Sequence, residues 1–247
     1  MPTNDEQILV VPANGYGTRI RELTGKVPKT LLKVGGQPIL SRLLSAASAI
    51  QNIRVVIYVQ PEDEYIANFL NMTHYSCSIE LRRMIPRGIL PDLIRISKEL
   101  GKEFSVFDSD LVAPLPELTL FLRKAPNWSQ NVPLIIGATT GLGMSYERMM
   151  WLTMGEGADF TVTSPGCQGD LCFACAYHWR PMGLEEAETL LSSHPISFHD
   201  YMADLSHRCC HVGCVRFSAA HNVNTPDAFA RAQTDVLKWQ KQGIEQM

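Results

Sequence analysis

Ile8-Leu9-Val10-Val11-Pro12-Ala13-Asn14-Gly15-Tyr16-Gly17-Thr18-Arg19 is the stretch on which the architecture turns. Four apolar residues run into a loop with two glycines one residue apart, then a hydroxyl and a guanidinium. An apolar run this short, closed by turn residues, predicts a strand buried on both faces. Glycines at such a turn let the backbone bend sharply and bring N–H groups close to an anion. Arg19 adds a planar fork that matches phosphate oxygens. Two standard phosphate loops are excluded: a dinucleotide fingerprint needs a third glycine where Ile20 stands, and a Walker loop needs G-K-[ST] after the second glycine. The glycines alone also fit an ordinary strand-to-helix turn.

Outward from this stretch, strands and helices alternate. Pro38 opens a helix whose apolar residues Ile39, Leu40, Leu43, Leu44, Ala47 and Ile50 form one stripe. Strands follow at 55–59, 79–85 and 104–107, separated by helices at 65–70 and 91–100. Strands spaced by helices of this length imply parallel pairing, so the fold class is α/β with a three-layer, mostly parallel central sheet. Beyond this point the rhythm loosens. Further strands fit at 132–138, 158–163, 171–177 and 211–217, and helices at 184–191, 198–205 and from Pro226 onward. Residues 141–169 show no clear period. No linker or repeat divides the 247 residues, so one domain spanning 1–247 is expected.

Composition narrows the function classes. Apolar residues make up 45% of the chain, enough for a full core, which excludes a disordered chain. The net charge of −3 argues against a protein whose task is wrapping duplex nucleic acid. No apolar run is long enough to span a membrane, and the acidic N-terminus has no signal-peptide pattern, so a cytoplasmic protein is expected. Seven cysteines, an odd number, do not suggest a disulfide framework. Cys172 and Cys175 form C-x-x-C, but in a continuous strand residues three apart point to opposite faces, and Phe-Ala between them is poor turn chemistry. They read as small core residues rather than zinc ligands. The seven histidines show no spacing that compels a catalytic role.

The loop is followed by Pro28-Lys29-Thr30-Leu31-Leu32-Lys33-Val34-Gly35-Gly36-Gln37-Pro38-Ile39-Leu40. G-x-G-T-R and then P-K-x-L-x-x-V-x-G-x-P-[IL]-L together resemble the start of the nucleotidyltransferases that make nucleotide sugars and related activated alcohols. That family includes sugar-1-phosphate nucleotidylyltransferases, cytidylyltransferases of small phosphorylated alcohols and molybdopterin guanylyltransferase-like enzymes. The resemblance implies a Rossmann-like nucleotidyltransferase fold of the GT-A type. It implies that Ala13, Asn14, Gly15, Gly17 and Thr18 surround the nucleotide, with Arg19 and Lys29 as the catalytic cations on the triphosphate. Asn14 departs from the Ala or Gly usual in the family.

Later motifs extend the resemblance. Arg87-Gly88-Ile89-Leu90-Pro91-Asp92-Leu93 stands where the family has G-T-A-x-[AS]-L beside the base; Gly88 and Leu93 match, and Ile89 replaces the threonine. Asp108-Ser109-Asp110 follows a strand, where open α/β sheets place ligand-binding residues. The resemblance makes Asp110 a Mg²⁺ ligand. His221-Asn222-Val223-Asn224-Thr225-Pro226 is a helix entry, with Thr225 as N-cap and Pro226 at the first helical position. It resembles the family element that returns a second metal ligand. Asn224 takes that position, and Asn222 is the second choice. The Glu-Lys-Pro of sugar-1-phosphate members is missing between 153 and 169, which counts against a standard hexose 1-phosphate as acceptor.

The resemblance therefore implies a Mg²⁺-dependent enzyme that joins a nucleoside triphosphate to a phosphorylated or phosphonylated small molecule and releases pyrophosphate. The departures at Asn14, Ile89 and Asn224 keep a second reading open, a non-catalytic nucleotide or nucleotide-sugar binder of the same fold. Neither nucleic acid nor membrane is expected as a partner. The Met and Trp residues of 144–154 would suit a homodimer contact or a lid over the acceptor.

Overall fold

The computed structural model describes residues 6–128, 132–140, 151–154, 160–162, 171–193, 195–209 and 212–245. The N-terminal part holds β1 (Gln7–Pro12), a short helix α1 (Arg21–Thr24), a hairpin of β2 (Lys33–Val34) and β3 (Gln37–Pro38), and α2 (Ile39–Ser48). Then come β4 (Ile53–Val59), α3 (Tyr65–Asn71), β5 (Ser78–Arg83), α4 (Ile89–Leu100), β6 (Phe104–Phe107), β7 (Leu111–Val112) and α5 (Leu115–Lys124). The remainder holds β8 (Leu134–Thr139), β9 (Trp151–Met154), β10 (Phe160–Val162), β11 (Leu171–Trp179), α6 (Pro181–Ser193), α7 (Phe198–Cys209), β12 (Gly213–Arg216), β13 (His221–Asn222) and α8 (Pro226–Lys241).

Seven strands run side by side in the order β5-β4-β1-β6-β11-β8-β12, and β9 with β10 extends the start of β11. β1 pairs in parallel with β4 on one side and β6 on the other, and its residues 8–11 are buried, as the apolar run predicts. β4 pairs with β5, and β8 with β12, also in parallel. β11 is the exception, antiparallel to both β6 and β8. Lying between β6 and β8, it leaves those two strands parallel to each other, with α5 in the connection between them. Right-handed crossovers put α2 and α3 on one face and α4 on the other. α5 packs on α2, and α6 on α4. From β1 the chain winds towards β4 and β5, and then returns to β6 on the opposite side. The carboxyl ends of β1 and β6 therefore flank a crevice, where ligands bind in open α/β sheets.

Several elements differ from the sequence expectation. α5 was not expected. Pro114 is its N-cap and Pro116 stands in its first turn, where proline is well tolerated, and Leu118, Phe121 and Leu122 are buried at helical spacing. Pro38 is the N-cap residue of α2 rather than its first residue, and α4 begins at Ile89, two residues before Pro91. β11 is not continuous: its register shifts between Phe173 and Tyr177, and Cys175 has φ +57°. The alternation of faces used for Cys172 and Cys175 is therefore interrupted. The two sulfurs have different partners, Cys172 bonding the Thr139 carbonyl and Cys175 meeting Asn222. Of the expected strand at 158–163, only Phe160–Val162 lies within the described residues, and β9 was not expected.

At the start of β13, His221 is buried with Nε2 3.0 Å from Asp235 Oδ2, while its Nδ1 has no partner among the described residues. Burial holds the imidazole below its ordinary pKa, with Asp235 pulling the other way and Arg231 and Lys238 adding to the depression. The unfolded chain takes the proton near the ordinary value of about 6.5 and the folded chain does not, so this histidine costs stability as pH falls through that value. Comparing His221→Gln with wild type isolates the effect. The wild-type advantage in urea midpoint should narrow between pH 8 and pH 5.5; a constant gap would refute the assignment.

Candidate active site

The crevice between β1 and β6 opens into a cavity of 320 Å³. Each polar group on its floor is placed by local structure. Pro28, extended at φ −55° and ψ 138°, starts a 3₁₀ turn at Lys29–Leu31 whose first amide bonds close on Pro28 and Lys29. That turn presents the Lys29 side chain to the crevice. Asp110 follows β6, and its carbonyl accepts from the Val223 amide at 2.9 Å. The β7–β13 ladder, with Asn222 opposite Leu111, ties the two segments together. Thr225 Oγ1 accepts from the Ala228 amide at 3.2 Å, capping α8 as expected and holding Asn224 just ahead of the helix.

These pieces converge on one cation. Lys29 Nζ forms an ion pair with Asp110 and donates to Asn224 Oδ1 at 2.8 Å. Asp110 is buried, and Lys29 is 17% exposed, so water screens the pair weakly. Asp108 lies beside them, accepting from the Tyr177 hydroxyl at 3.0 Å. Burial and the neighbouring Asp110 charge push its carboxyl up to about 7, against the pull of Tyr177 and Lys29. The floor is thus an acidic pair with one ammonium set into it.

The other end of the cavity is different in character. Pro12, Pro86, Ile89, Leu93 and Ile96 give it apolar walls. Asp92, in the first turn of α4, is buried there, accepting from the Arg87 amide at 3.1 Å and more distantly from Asn14 Nδ2 at 3.4 Å. Burial raises its carboxyl above the ordinary range, and these two donors oppose the rise. Gln60 Nε2 donates to the Asn14 carbonyl at 3.0 Å, fixing the loop from beneath. Gly15 and Arg19 stand exposed at the rim.

Of the residues expected from sequence, Asn14, Gly15, Arg19, Lys29, Gly88, Asp110 and Asn224 line this one cavity. Ala13, Gly17 and Thr18 do not line it. Ala13 is buried, its amide bonded to the Tyr58 carbonyl at 2.7 Å, and Thr18 is exposed. Gly17, at φ +59°, supplies the left-handed turn that accepts the Ile20 amide. Asp92 and Tyr177 were not singled out from sequence, though an acidic residue just inside a glycine-capped helix was a usable signal for the first. Most of 153–169 and of 144–154, where an acceptor lysine and a dimer or lid contact were sought, lies outside the described residues.

Comparison with known proteins gives a consistent picture. Residues 7–81 match the family model for IspD, 2-C-methyl-D-erythritol 4-phosphate cytidylyltransferase. The probable mannose-1-phosphate guanylyltransferase 1 of Oryza sativa subsp. japonica is 27% identical over 124 residues, covering 47% of this chain and 34% of that protein. A mannose-1-phosphate guanyltransferase of Aspergillus fumigatus is 28% identical over 123 residues with the same coverage. This chain therefore spans about a third of the length of the curated relatives it matches. The fold extends further. UDP-glucose pyrophosphorylase from Acinetobacter baumannii superposes with a TM-score of 0.74 at 14% identity, covering 98% of this chain and 100% of the other. The inositol-1-phosphate CTP transferase from T. maritima gives 0.69 at 14% identity, covering 94% and 96%. Residues 7–81 are thus similar in sequence to a cytidylyltransferase family model, and along nearly its whole length the chain shares its fold with the two solved structures.

Proposed function

We propose that the protein is a Mg²⁺-dependent nucleotidyltransferase that joins a nucleoside triphosphate to a phosphorylated small molecule, such as a sugar phosphate, and releases pyrophosphate. The observation that carries this reading is the Lys29 ammonium held between Asp110 and Asn224 on the floor of a crevice whose far end is apolar. A phosphate oxygen of the acceptor attacks the α-phosphorus. The new oxygen–phosphorus bond forms as the bond to the β-phosphate bridging oxygen breaks, and the electron pair leaves with pyrophosphate. No proton has to move and no covalent enzyme intermediate is needed, so positioning and charge neutralisation do the work. Lys29 and Arg19 meet the charge that builds on the leaving pyrophosphate, and the Gly15 loop offers its backbone to the phosphates. The walls formed by Pro12, Pro86, Ile89 and Leu93 suit the flat faces of a base, with Asn14 and Asp92 as its polar contacts.

The donor set fits the metal. Asp110 and Asn224 present two hard oxygens to a common cationic point, the chemistry Mg²⁺ requires. When bound, Mg²⁺ supplies Lewis-acid neutralisation of phosphate oxygens.

The test is pyrophosphate release from ATP, CTP, GTP and UTP against a panel of mannose 1-phosphate, glucose 1-phosphate, inositol 1-phosphate and methylerythritol 4-phosphate, with and without Mg²⁺. One triphosphate should give release that depends on both acceptor and metal, and Asp110→Ala should abolish it in a protein that still melts cooperatively. Thermal stabilisation by a nucleotide without release from any pair would replace this reading with that of a binding protein.

A further inference from the structure

Behind the cavity floor the polar side chains form a chain with one direction. Lys29 Nζ donates to Asn224 Oδ1 at 2.8 Å, and Asn224 Nδ2 donates to Asn222 Oδ1. Asn222 Nδ2 donates to Cys175 Sγ at 2.9 Å, beside the Asp108 carboxylate. Lys29, Asn224 and Asn222 each donate in the same sense, from an ammonium at one end to a cysteine sulfur at the other. Turning either amide over would set donor against donor or acceptor against acceptor, so each orientation depends on the rest.

Cys175 is where this chain meets the sheet. It sits at the register shift of β11 with φ +57°, one of two non-glycine residues with positive φ among the described residues. A cysteine in that region is strained, and the strain persists only where surrounding contacts demand it. The bulge carries Cys175 past the last β6 partner of β11, Phe107, and its carbonyl accepts from the Asp108 amide at 3.0 Å. Burial beside Asp108 and Asp110 holds the thiol well above its ordinary pKa. Its sulfur is the acceptor on which the Asn222 amide rests.

We infer that Cys175 is a positioning residue: its sulfur sets the amide of Asn222, and through it that of Asn224, so that the Asn224 oxygen and not its amino group faces Lys29. The catalytic consequence rests on the nucleotidyl-transfer reading, whereas the orientation itself does not.

Two measurements separate these. The first is the rate at which a trace of acetic anhydride labels Lys29 in the ligand-free full chain, read by mass spectrometry. The second is kcat and KM in the pyrophosphate assay. Cys175→Ala removes the acceptor, loosens Asn224 and leaves Lys29 with one firm partner, so its amine is freer to react. Labelling should accelerate severalfold, and kcat should fall about 10-fold, the usual scale for a residue that orients a ligating group, with KM nearly unchanged. Cys175→Ser keeps a donor and an acceptor and should restore both values most of the way. Wild-type labelling in the alanine variant, or a serine variant as impaired as alanine, would overturn the proposal in favour of simple packing. If the alanine variant fails to fold, Asn222→Leu breaks the same chain one link on and should give the same pair of changes; wild-type labelling there would also overturn it. If even the wild type shows no turnover, the nucleotidyl-transfer reading falls, and the labelling series still decides the role of Cys175.

Discussion

Lys29→Met should leave a folded protein whose kcat/KM falls by about a thousandfold, the scale seen when one preorganised cation or donor is removed from a phosphoryl- or acyl-transfer site. Methionine keeps the length and apolar stem of lysine, so the 3₁₀ turn after Pro28 has no reason to change. Only the charge is lost, and with it the single cation between Asp110 and Asn224. The two neighbouring carboxylates then face each other without an ammonium. The loss of that charge raises the Asp108 carboxyl further, because Lys29 now pulls it down. A moderate drop in melting temperature is therefore expected beside the loss of turnover. The check is steady-state pyrophosphate release with a denaturation curve for each protein. A methionine variant within tenfold of wild type would remove Lys29 from the chemistry. Arg19→Ala is the graded comparison: its side chain stands exposed at the rim, where water weakens its interactions, so a smaller loss is expected.

The second large effect is on stability. Gly35→Ala should cost roughly 2–4 kcal/mol, from a left-handed backbone penalty and the displacement of a packed neighbour. Gly35 and Gly36 form the two-residue turn between β2 and β3 with φ of +60° and +85°, the signs a type I′ hairpin turn requires. A β-carbon on Gly35 would lie 2.2 Å from Cγ1 of Val236, on the buried side of α8. The same glycine bonds α8 through its backbone: its amide donates to Gln233, and its carbonyl accepts from Gln240 at 3.0 Å. For a chain this size the midpoint should fall by about 5–15 °C. Val236→Ala provides the internal control, since adding it to Gly35→Ala should cost less than it does in the wild type. Strict additivity between the two would show that the clash is not the cause.

Gly35 also shows where the sequence stops speaking. The motif glycine is Gly36, and the neighbour that seats α8 falls on a variable position, because the reason for it lies two hundred residues away in the chain. The elements set by local chemistry were readable. The buried run before Pro12, the capped entry at Thr225-Pro226 and the alternation of the first half all follow from propensity and period. Lys29, Asp110 and Asn224 were singled out by the resemblance rather than by period, and the structure brings the three to one cavity. What was hidden depends on pairing across the fold. The bulge at Cys175 has no signature in Leu-Cys-Phe-Ala-Cys, since a short apolar run reads as a regular strand. Tyr177 looked like core and is also a donor to Asp108. α5 was masked by two prolines that its first turn tolerates.

The contacts made by α8 and the residues on either side of it join positions nearly the whole chain apart: Lys29 with Asn224, Gly35 with Gln233, and Arg42 with Glu245. Loop closure of that span is an entropic cost met late in assembly, after the local β-α-β units have formed. On a ribosome, which releases the N-terminal part first, the glycine loop and Lys29 emerge long before Asn224 exists to receive them. The crevice floor is thus completed late, by the docking of α8, and until then the glycine loop and Lys29 stand without their partners.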